Sequence, residues 1–306
     1  MNTSPIPTLP GDVTLYYLAE GAANVIYRFS FPPPSPRSTS DLAESSSKVA
    51  PRHNPIFEHR LLRLRKALPS SRPNERACAV LHKAFVPLFP ECIAAHDLVM
   101  LPPNLLRDTN IALRDLEKTG GRLHKRRGLY LAEDEPHGIL VTDMTPATAG
   151  GEVLVEFKPK WLIQSHSAPQ GWKRCRTCAL RAQRNAVRRA KGQREEAGPC
   201  PLDLASLDQA RVERAVSFIA TTKHAEDGQD LNRLRERLTS FLLRSTIIPK
   251  LKELQGSLDE AGVLAADVMS WEFLMATTIR DCSIYVKVVY LIHPSHPYIL
   301  VFRGRY

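Results

Sequence analysis

Two lysines that bracket a proline are the residues of this sequence best suited to holding phosphate. Lys158-Pro159-Lys160 follows an alternating apolar run, residues 152–157, which predicts a β-strand. Proline cannot donate to a sheet ladder, so Pro159 predicts a strand end or edge where both ammonium groups project together. Lysine is a compact cation that suits phosphate. The competing interpretation is a strand end with two solvated lysines.

A strongly cationic segment follows these lysines after a polar loop. Its pattern predicts a helix, and arginine side chains form paired hydrogen bonds with phosphate oxygens. The arginines are Arg174, Arg176, Arg181, Arg184, Arg188 and Arg189. A strand and a helix that bring cations to one place are what a highly phosphorylated ligand requires.

One acidic residue precedes the last long predicted strand. In the segment 279–285, a mostly apolar helical pattern passes through Asp281 into an alternating run. An aspartate there could hold Mg²⁺ or accept a proton from a hydroxyl. The simpler alternative is an aspartate in a helix-to-strand turn. No Asp or Glu follows Asp281 in the sequence.

A CxxC pair, Cys175 and Cys178, lies within the cationic segment, with Cys200 and His166 nearby in sequence. CxxC is a common zinc-binding spacing, but a structural zinc site needs four ligands and no second pair follows. Buried free thiols are therefore the favoured interpretation, and structural zinc is the alternative. The six cysteines are expected to be reduced, since disulfide frameworks belong to secreted chains.

Composition narrows the class of protein. The chain has 306 residues, 43% of them hydrophobic, and a net charge of +10, which suits a globular protein with an anionic partner. The N-terminus lacks the features of a secretory signal, and no apolar run is long enough to span a bilayer. We expect an intracellular monomer, in the nucleus and/or cytoplasm, with no membrane insertion.

Strand-like sequence dominates the first half of the chain and helical sequence the second, which favours an α+β fold. Residues 13–31 predict two strands joined by a turn of small residues, 20–24, which could admit phosphates or be an ordinary hairpin turn. The Pro- and Ser-rich residues 32–55 predict a flexible surface loop. The basic residues of 122–127 could reach a phosphate or form a solvated loop, and the solvated loop is the favoured interpretation. Residues 231–256 predict one or two helices kinked at Pro249.

In this order the motifs closely resemble the inositol-pentakisphosphate 2-kinase family, in particular its fungal form. The resemblance extends from about residue 11 to residue 285, and E-x-K-P-K and R-C-R-T-C-A-L-R are its most specific parts. The matching stretches are EGAANVIY at 20–27, LRLRK at 62–66, EFKPKWL at 156–162, RCRTCALR at 174–181, PLDL at 201–204 and RDCS at 280–283.

The resemblance implies a two-lobed α+β inositol-phosphate kinase architecture. Residues 1–143 would form an ATP-binding N-lobe, an antiparallel sheet with helices that carries the flexible loop 32–55. Residues 144–306 would form a larger, mostly helical C-lobe with a small sheet, which binds inositol phosphate. The implied reaction uses ATP and Mg²⁺ to phosphorylate inositol 1,3,4,5,6-pentakisphosphate at its 2-hydroxyl, giving inositol hexakisphosphate (phytate).

The resemblance also implies roles for N-lobe residues in binding ATP. Gly21, Ala22 and Asn24 would lie in the loop over the ATP phosphates. Arg63 would bind an ATP phosphate, at the position where protein kinases use lysine. Asp143 would lie near the adenine, in the hinge.

For the C-lobe, the resemblance implies contacts with the inositol phosphates. Lys158 and Lys160 would meet the transferred phosphate and the inositol phosphates, and Arg174 and Arg181 would clamp the latter. Asp281 would orient the 2-hydroxyl, accept its proton or bind Mg²⁺. A looser match adds substrate contacts from Asn232 and from Arg233 or Arg235, of which Arg235 is preferred.

The sequence departs from the family pattern in two places. The family has a second acidic motif after R-D-C-S, whose aspartate binds Mg²⁺, and no counterpart follows Asp281. Ala22 stands where other members have a second glycine. Two other functions therefore stay open. One is a catalytically impaired inositol-phosphate-binding remnant. The less favoured one is a nucleic-acid-binding module built on Cys175, Cys178 and the arginine helix, which lacks interleaved aromatic residues for base stacking.

Overall fold

The structure is a computed structural model in which the chain divides into two compact units. The first comprises Met1–Phe89 and Ala94–Asp143, and the second comprises Pro90–Ile93 and Met144–Tyr306. The described residues are 5–32, 54–90, 92–146, 152–221, 228–262, 267–289 and 298–301. Most of the predicted flexible loop 32–55 lies outside the described residues.

The first unit is built on a five-stranded antiparallel sheet with the order β1-β2-β3-β5-β4. Its strands are β1 (Thr14–Glu20), β2 (Asn24–Ser30), β3 (Arg60–Arg65), β4 (His96–Met100) and β5 (His137–Thr142). Alternate side chains point to opposite faces, so Leu62 and Leu64 of β3 enter the core while Arg63 points to the other face.

Two α-helices accompany this sheet in the described part of the first unit. They are α1 (Asn74–Val80), which continues into a π-helical turn at Leu81–Phe85, and α2 (Leu105–Lys118). On the core-facing side of α2, Leu106 and Leu113 are buried two turns apart, and Asn110 between them is buried and bonds the Leu131 backbone.

The second unit combines a small antiparallel sheet, in the order β6-β7-β8, with six helices in the described residues. The strands are β6 (Glu152–Phe157), β7 (Ser283–Val289) and β8 (Tyr298–Val301). The helices are α3 (Arg176–Ala190), α4 (Pro201–Leu204), α5 (Gln209–Ile219), α6 (Gly228–Arg244), α7 (Ile247–Ser257) and α8 (Trp271–Asp281). The predicted α+β class is confirmed.

The predicted kink at Pro249 is replaced by a break between two helices. Helix α6 ends at Arg244 and α7 begins at Ile247, so the interruption precedes the proline. Pro249 lies in the first turn of α7, where a missing N–H removes no intrahelical hydrogen bond. Among the helices of the described ranges, none combines the length and apolar character that crossing a bilayer requires.

Candidate active site

The pairing of β6 with β7 brings two distant motifs together. The strands are antiparallel, and Phe157 pairs with Ile284 at one end of the sheet. The chain that leaves β6 there carries Lys158 and Lys160, and the chain that enters β7 carries Asp281. Lys160 Nζ lies 2.6 Å from Asp281 Oδ1, across 121 residues of sequence. Lys158 Nζ lies 3.0 Å from Oδ2 and donates to the Asp281 carbonyl at 2.7 Å.

These three residues form the lysine cluster, which is partly open to solvent. The side chains of Lys158, Lys160 and Asp281 are 34%, 42% and 55% exposed. Burial would raise the pKa of Asp281, but hydrogen bonds and charge from the two lysines outweigh it, so this pKa lies below its usual range. Asp281 is therefore ionised at neutral pH, and the lysine cluster carries one excess positive charge.

The backbone of the lysine cluster takes an unusual turn. Lys160 has φ of +55°, in the left-handed region that non-glycine residues seldom occupy. Pro159 before it is buried. The side-chain amide of Gln255, in α7, bonds the backbone of Lys160 and Leu162. Sequence reasoning missed Gln255; the available signal was a polar residue one helical turn after Leu251, on the apolar face of a helix.

The predicted phosphate clamps Arg174 and Arg181 have different surroundings. Arg174 precedes α3 and is exposed. The Arg181 guanidinium donates to the carbonyls of Gly198 at 2.6 Å and Pro199 at 2.9 Å. Arg181 therefore fastens the loop after α3, and phosphate binding by Arg181 would compete with these bonds. Its predicted clamping role stays a prediction.

The two looser predictions, Asn232 and Arg235, both lie on α6. Asn232 is exposed. Arg235 donates to the carbonyls of Ala220 at 3.2 Å and Ser217 at 3.4 Å, near the end of α5. Carbonyls at a helix C-terminus lack intrahelical partners, and basic side chains commonly satisfy them. The geometry gives Arg235 a structural task that the sequence pattern did not indicate.

Three cysteines meet at the start of α3. The sulfur atoms of Cys175, Cys178 and Cys200 lie within 4.8 Å of one another, and Cys175 Sγ to Cys200 Sγ measures 3.7 Å. Cys175 Sγ also accepts from the Cys178 N–H at 3.3 Å. Burial, followed by the neighbouring thiols, raises the pKa of Cys178 to about 12. His166 is not part of this group; its ring lies against the Asp259 carbonyl instead.

In the first unit, the predicted phosphate loop is the tight turn between β1 and β2. The Gly21 N–H donates to the Asn24 carbonyl at 2.9 Å and closes the turn. Lys66 then holds it in two places: its N–H donates to Ala23 O at 2.8 Å and its Nζ to Gly21 O at 3.0 Å. The predicted loop residue Ala22 is exposed.

A buried ion network anchors this turn. Glu20, Lys66 and Arg122, here called the buried triad, have side chains that are at most 1% exposed. Glu20 Oε2 lies 2.5 Å from Lys66 Nζ and 2.8 Å from Arg122 Nη2. Arg122 also pairs with Glu117. The interpretation of Arg122 as part of a solvated loop is therefore wrong, because a carboxylate 102 residues away in sequence holds it inside the unit.

The remaining predicted ATP contacts lie on or beside the same sheet. Arg63, in β3, is half-buried between Ile26 of β2 and Ile139 of β5. Asp143 directly follows β5, and its N–H donates to the His59 carbonyl at 2.8 Å. These positions leave the predicted roles of both residues in ATP binding as predictions.

Comparison with known proteins defines the class to which this fold and site belong. The sequence profile of the family described as inositol-pentakisphosphate 2-kinase matches residues 17–299. The chain belongs to that family, a family of kinases, which confirms the resemblance inferred from the motifs.

One relative is a curated inositol-pentakisphosphate 2-kinase from Yarrowia lipolytica (strain CLIB 122 / E 150). It is 30% identical to this chain over 176 residues, which cover 50% of this chain and 53% of the relative. The match thus spans about half the length of that protein. The fungal origin of the relative agrees with the fungal form that the motifs indicated.

Proposed function

We propose that this chain transfers the γ-phosphate of ATP to the 2-hydroxyl of inositol 1,3,4,5,6-pentakisphosphate, giving inositol hexakisphosphate. The lysine cluster is the observation that carries the proposal, together with membership of the family. Phosphoryl transfer depends mainly on positioning and on stabilising charge. A cation pair beside an ionised carboxylate, on the end of a sheet, supplies both.

Each member of the lysine cluster has a role in this proposal. The inositol phosphates replace the Asp281 oxygens as partners of Lys158 and Lys160. The released carboxylate orients the 2-hydroxyl and takes its proton while the hydroxyl oxygen bonds to the γ-phosphorus. The bond from that phosphorus to the bridging oxygen breaks, and ADP leaves with the electron pair. The ammonium groups offset the negative charge of the phosphates.

ATP and Mg²⁺ are the groups that this reaction requires. ATP supplies the phosphoryl group, and Mg²⁺ neutralises charge on its oxygens. Asp281 is the carboxylate that fits a metal-binding role, since hard cations prefer oxygen ligands. Both of its oxygens accept from lysines, so it fits a cation once these lysines turn to phosphate. In the first unit, the backbone of the turn after Glu20 is the part that fits ATP phosphates.

The test is incubation of the protein with Mg-ATP and inositol pentakisphosphate, with products followed by phosphorus NMR. We expect inositol hexakisphosphate and equimolar ADP. Replacing Asp281→Asn should reduce the rate by roughly 100-fold or more, the usual contribution of a general base. The matched control is Asp115→Asn, which removes an exposed ion pair with Lys118 in the first unit and should leave the rate unchanged.

A second candidate is an inositol-phosphate-binding protein without catalysis. The observation that favours it is that, within the described part of the chain, Asp281 is the one carboxylate paired with the two lysines. The same incubation separates the candidates. Binding of inositol pentakisphosphate without product supports the second, and product supports the first.

We also propose that Cys175, Cys178 and Cys200 hold one structural Zn²⁺. The sequence favoured buried free thiols because its spacing could not show that Cys200 lies beside Cys175 and Cys178. The proximity of all three sulfur atoms supports zinc instead. Zinc sites of this kind are tetrahedral, so a fourth ligand is required. Elemental analysis should find one zinc per chain, lost in Cys178→Ser. Metal-free protein in which these three thiols are free, or in which two of them form a disulfide, would contradict the proposal.

A further inference from the structure

One buried amide holds the backbone on both sides of Trp161. The side chain of Gln255 is completely buried. Its Oε1 accepts from the Leu162 N–H at 2.8 Å, and its Nε2 donates to the Lys160 carbonyl at 2.8 Å. Because one partner can only donate and the other can only accept, the site requires a side chain that offers both. Glutamine meets that requirement, whereas methionine and ionised glutamate do not.

The backbone that Gln255 holds is the strained part of the lysine cluster. A non-glycine residue in the left-handed region costs of the order of 1 kcal/mol and persists when its surroundings fix it. Lys160 is such a residue, with φ of +55°. Its ammonium reaches Asp281 at 2.6 Å from that turn. Loss of the amide bonds would free Lys160 to return to an ordinary conformation and redirect its side chain.

Gln255 also touches the other half of the lysine cluster. Its backbone carbonyl accepts from Arg280 Nη2 at 3.3 Å, and Arg280 directly precedes Asp281. The Arg280 guanidinium pairs with buried Asp259 at 2.7 Å and lies 3.7 Å from the centroid of the Trp161 ring. The segments that carry Lys160 and Asp281 are thus both tied to the same turn of α7.

We infer that Gln255 is a positioning residue of the proposed active site. Its amide fixes the turn at Lys160, and with Arg280 it sets the lysines and Asp281 in the geometry that receives an inositol polyphosphate. The inference rests on the proposed function. It adds a requirement that no sequence motif indicates: a neutral amide, with one donor and one acceptor, at a fully buried position of α7.

Replacement of Gln255 by glutamate gives this role a distinctive signature. A glutamate can accept from Leu162, but it can donate to the Lys160 carbonyl only when protonated. Burial favours the neutral acid. The Gln255→Glu variant should therefore resemble the wild type at low pH and lose function as pH rises. Gln255→Met, of similar volume, should be impaired at every pH.

The experiment measures the affinity for inositol pentakisphosphate by calorimetry, and kcat/KM for its phosphorylation, from pH 5.5 to 8.5. At each pH, the affinity and kcat/KM of a variant are divided by the wild-type values. This ratio cancels the effect of protonation of the ligand itself. We expect the Gln255→Glu ratio to fall roughly tenfold or more across this range, as loss of a buried hydrogen bond would give. The Gln255→Met ratio should be low and constant.

The control is Gln209→Glu, the same change on an exposed position of α5, which should keep a ratio near one. Circular dichroism at each pH confirms that the variants are folded. If Gln255→Glu does not fold, Gln255→Met still decides, since wild-type affinity in that variant would overturn the inference. A constant Gln255→Glu ratio together with a Gln255→Met ratio near one would also overturn it.

Failure of the inference can be told from failure of the proposed function. A wild type that neither binds nor phosphorylates inositol pentakisphosphate contradicts the proposed function, and the role of Gln255 falls with it. A wild type that binds, with Gln255 variants that match it at every pH, contradicts the role of Gln255 alone.

Discussion

Each unit contains a carboxylate held by two cations, Glu20 in the first unit and Asp281 in the second, and these two groups differ in exposure. In the buried triad, Glu20 pairs with Lys66 and Arg122, and all three side chains are sealed from solvent. In the lysine cluster, Asp281 pairs with two lysines that are a third or more exposed. Both carboxylates have a pKa below the usual range, because the cations outweigh the effect of burial.

The difference in exposure suggests a structural role for the buried triad and a ligand-binding role for the lysine cluster under the proposed function. A buried charge that loses its partner is strongly destabilising, so the members of the buried triad must stay together. An exposed ion pair contributes little to stability. The proposed exchange of Asp281 for phosphate in the lysine cluster should therefore cost little stability. Under the proposed function, a carboxylate with two cations is a fixed anchor in one unit and an exchangeable receptor in the other.

Removing the charge of Glu20 should have the largest effect. Glu20→Gln leaves Lys66 buried without its counter-charge and Arg122 with Glu117 alone, which should cost about 3–5 kcal/mol of unfolding free energy. Chemical denaturation measures this cost. The matched change in the lysine cluster, Asp281→Asn, should cost less than about 1 kcal/mol. Equal costs for the two changes would remove the distinction between the groups.

The unfolding free energy measured against pH should reveal a second buried ionisable residue in the first unit, His96. Burial lowers the pKa of His96, in β4, from 6.5 to about 4. Between these values the unfolded chain binds a proton that the folded chain does not, so stability must fall as pH drops. The fall should total about 3 kcal/mol by pH 4.

Replacement of His96→Gln should remove this dependence between pH 6.5 and 4. The exposed His124 provides the control, since His124→Gln should keep it. Glu20 adds a further loss only below its ordinary pKa of 4.5, because its folded pKa is lowered. An unchanged slope in His96→Gln would show that the pKa of His96 is not lowered in the folded protein.

The two arginines at the ends of the R-C-R-T-C-A-L-R motif should also divide into one that stabilises the fold, Arg181, and one that binds ligand, Arg174. Arg181→Gln removes two hydrogen bonds from a charged group to backbone carbonyls and should cost about 2 kcal/mol of stability. Arg174→Gln should change stability by less than about 0.5 kcal/mol, as exposed substitutions do. Affinity for inositol pentakisphosphate should instead fall roughly tenfold in Arg174→Gln. The opposite assignment would make Arg181 the ligand contact.

Much of the fold could be predicted from the sequence because its patterns are local. Alternation identified the strands on either side of Gly21, and Pro159 marked the end of β6. The resemblance to the family was enough to assign Lys158, Lys160 and Asp281 to one site. In each case, the signal lies within a few residues or in an ordered series of motifs.

The rest depends on contacts between distant parts of the chain. Arg122 looked like a surface cation because Glu20, its partner, is 102 residues away. Helical spacing placed Arg181 on α3 but could not show that backbone carbonyls occupy its guanidinium. Gln255 carries no motif, and its role becomes visible only when α7 packs against the turn at Lys160. The sequence shows which residues are charged, but it does not show which of them are buried or already bonded to another group.

The most direct test of the account is the affinity of the lysine cluster for its proposed ligand. Calorimetric titration of inositol pentakisphosphate into wild type and the double variant Lys158→Met/Lys160→Met measures it. Each lost charged contact is worth about 1.5–3 kcal/mol, so affinity should fall roughly 100-fold or more. The unfolding free energy should change by less than about 1 kcal/mol. Unchanged affinity in the folded double variant would contradict the account.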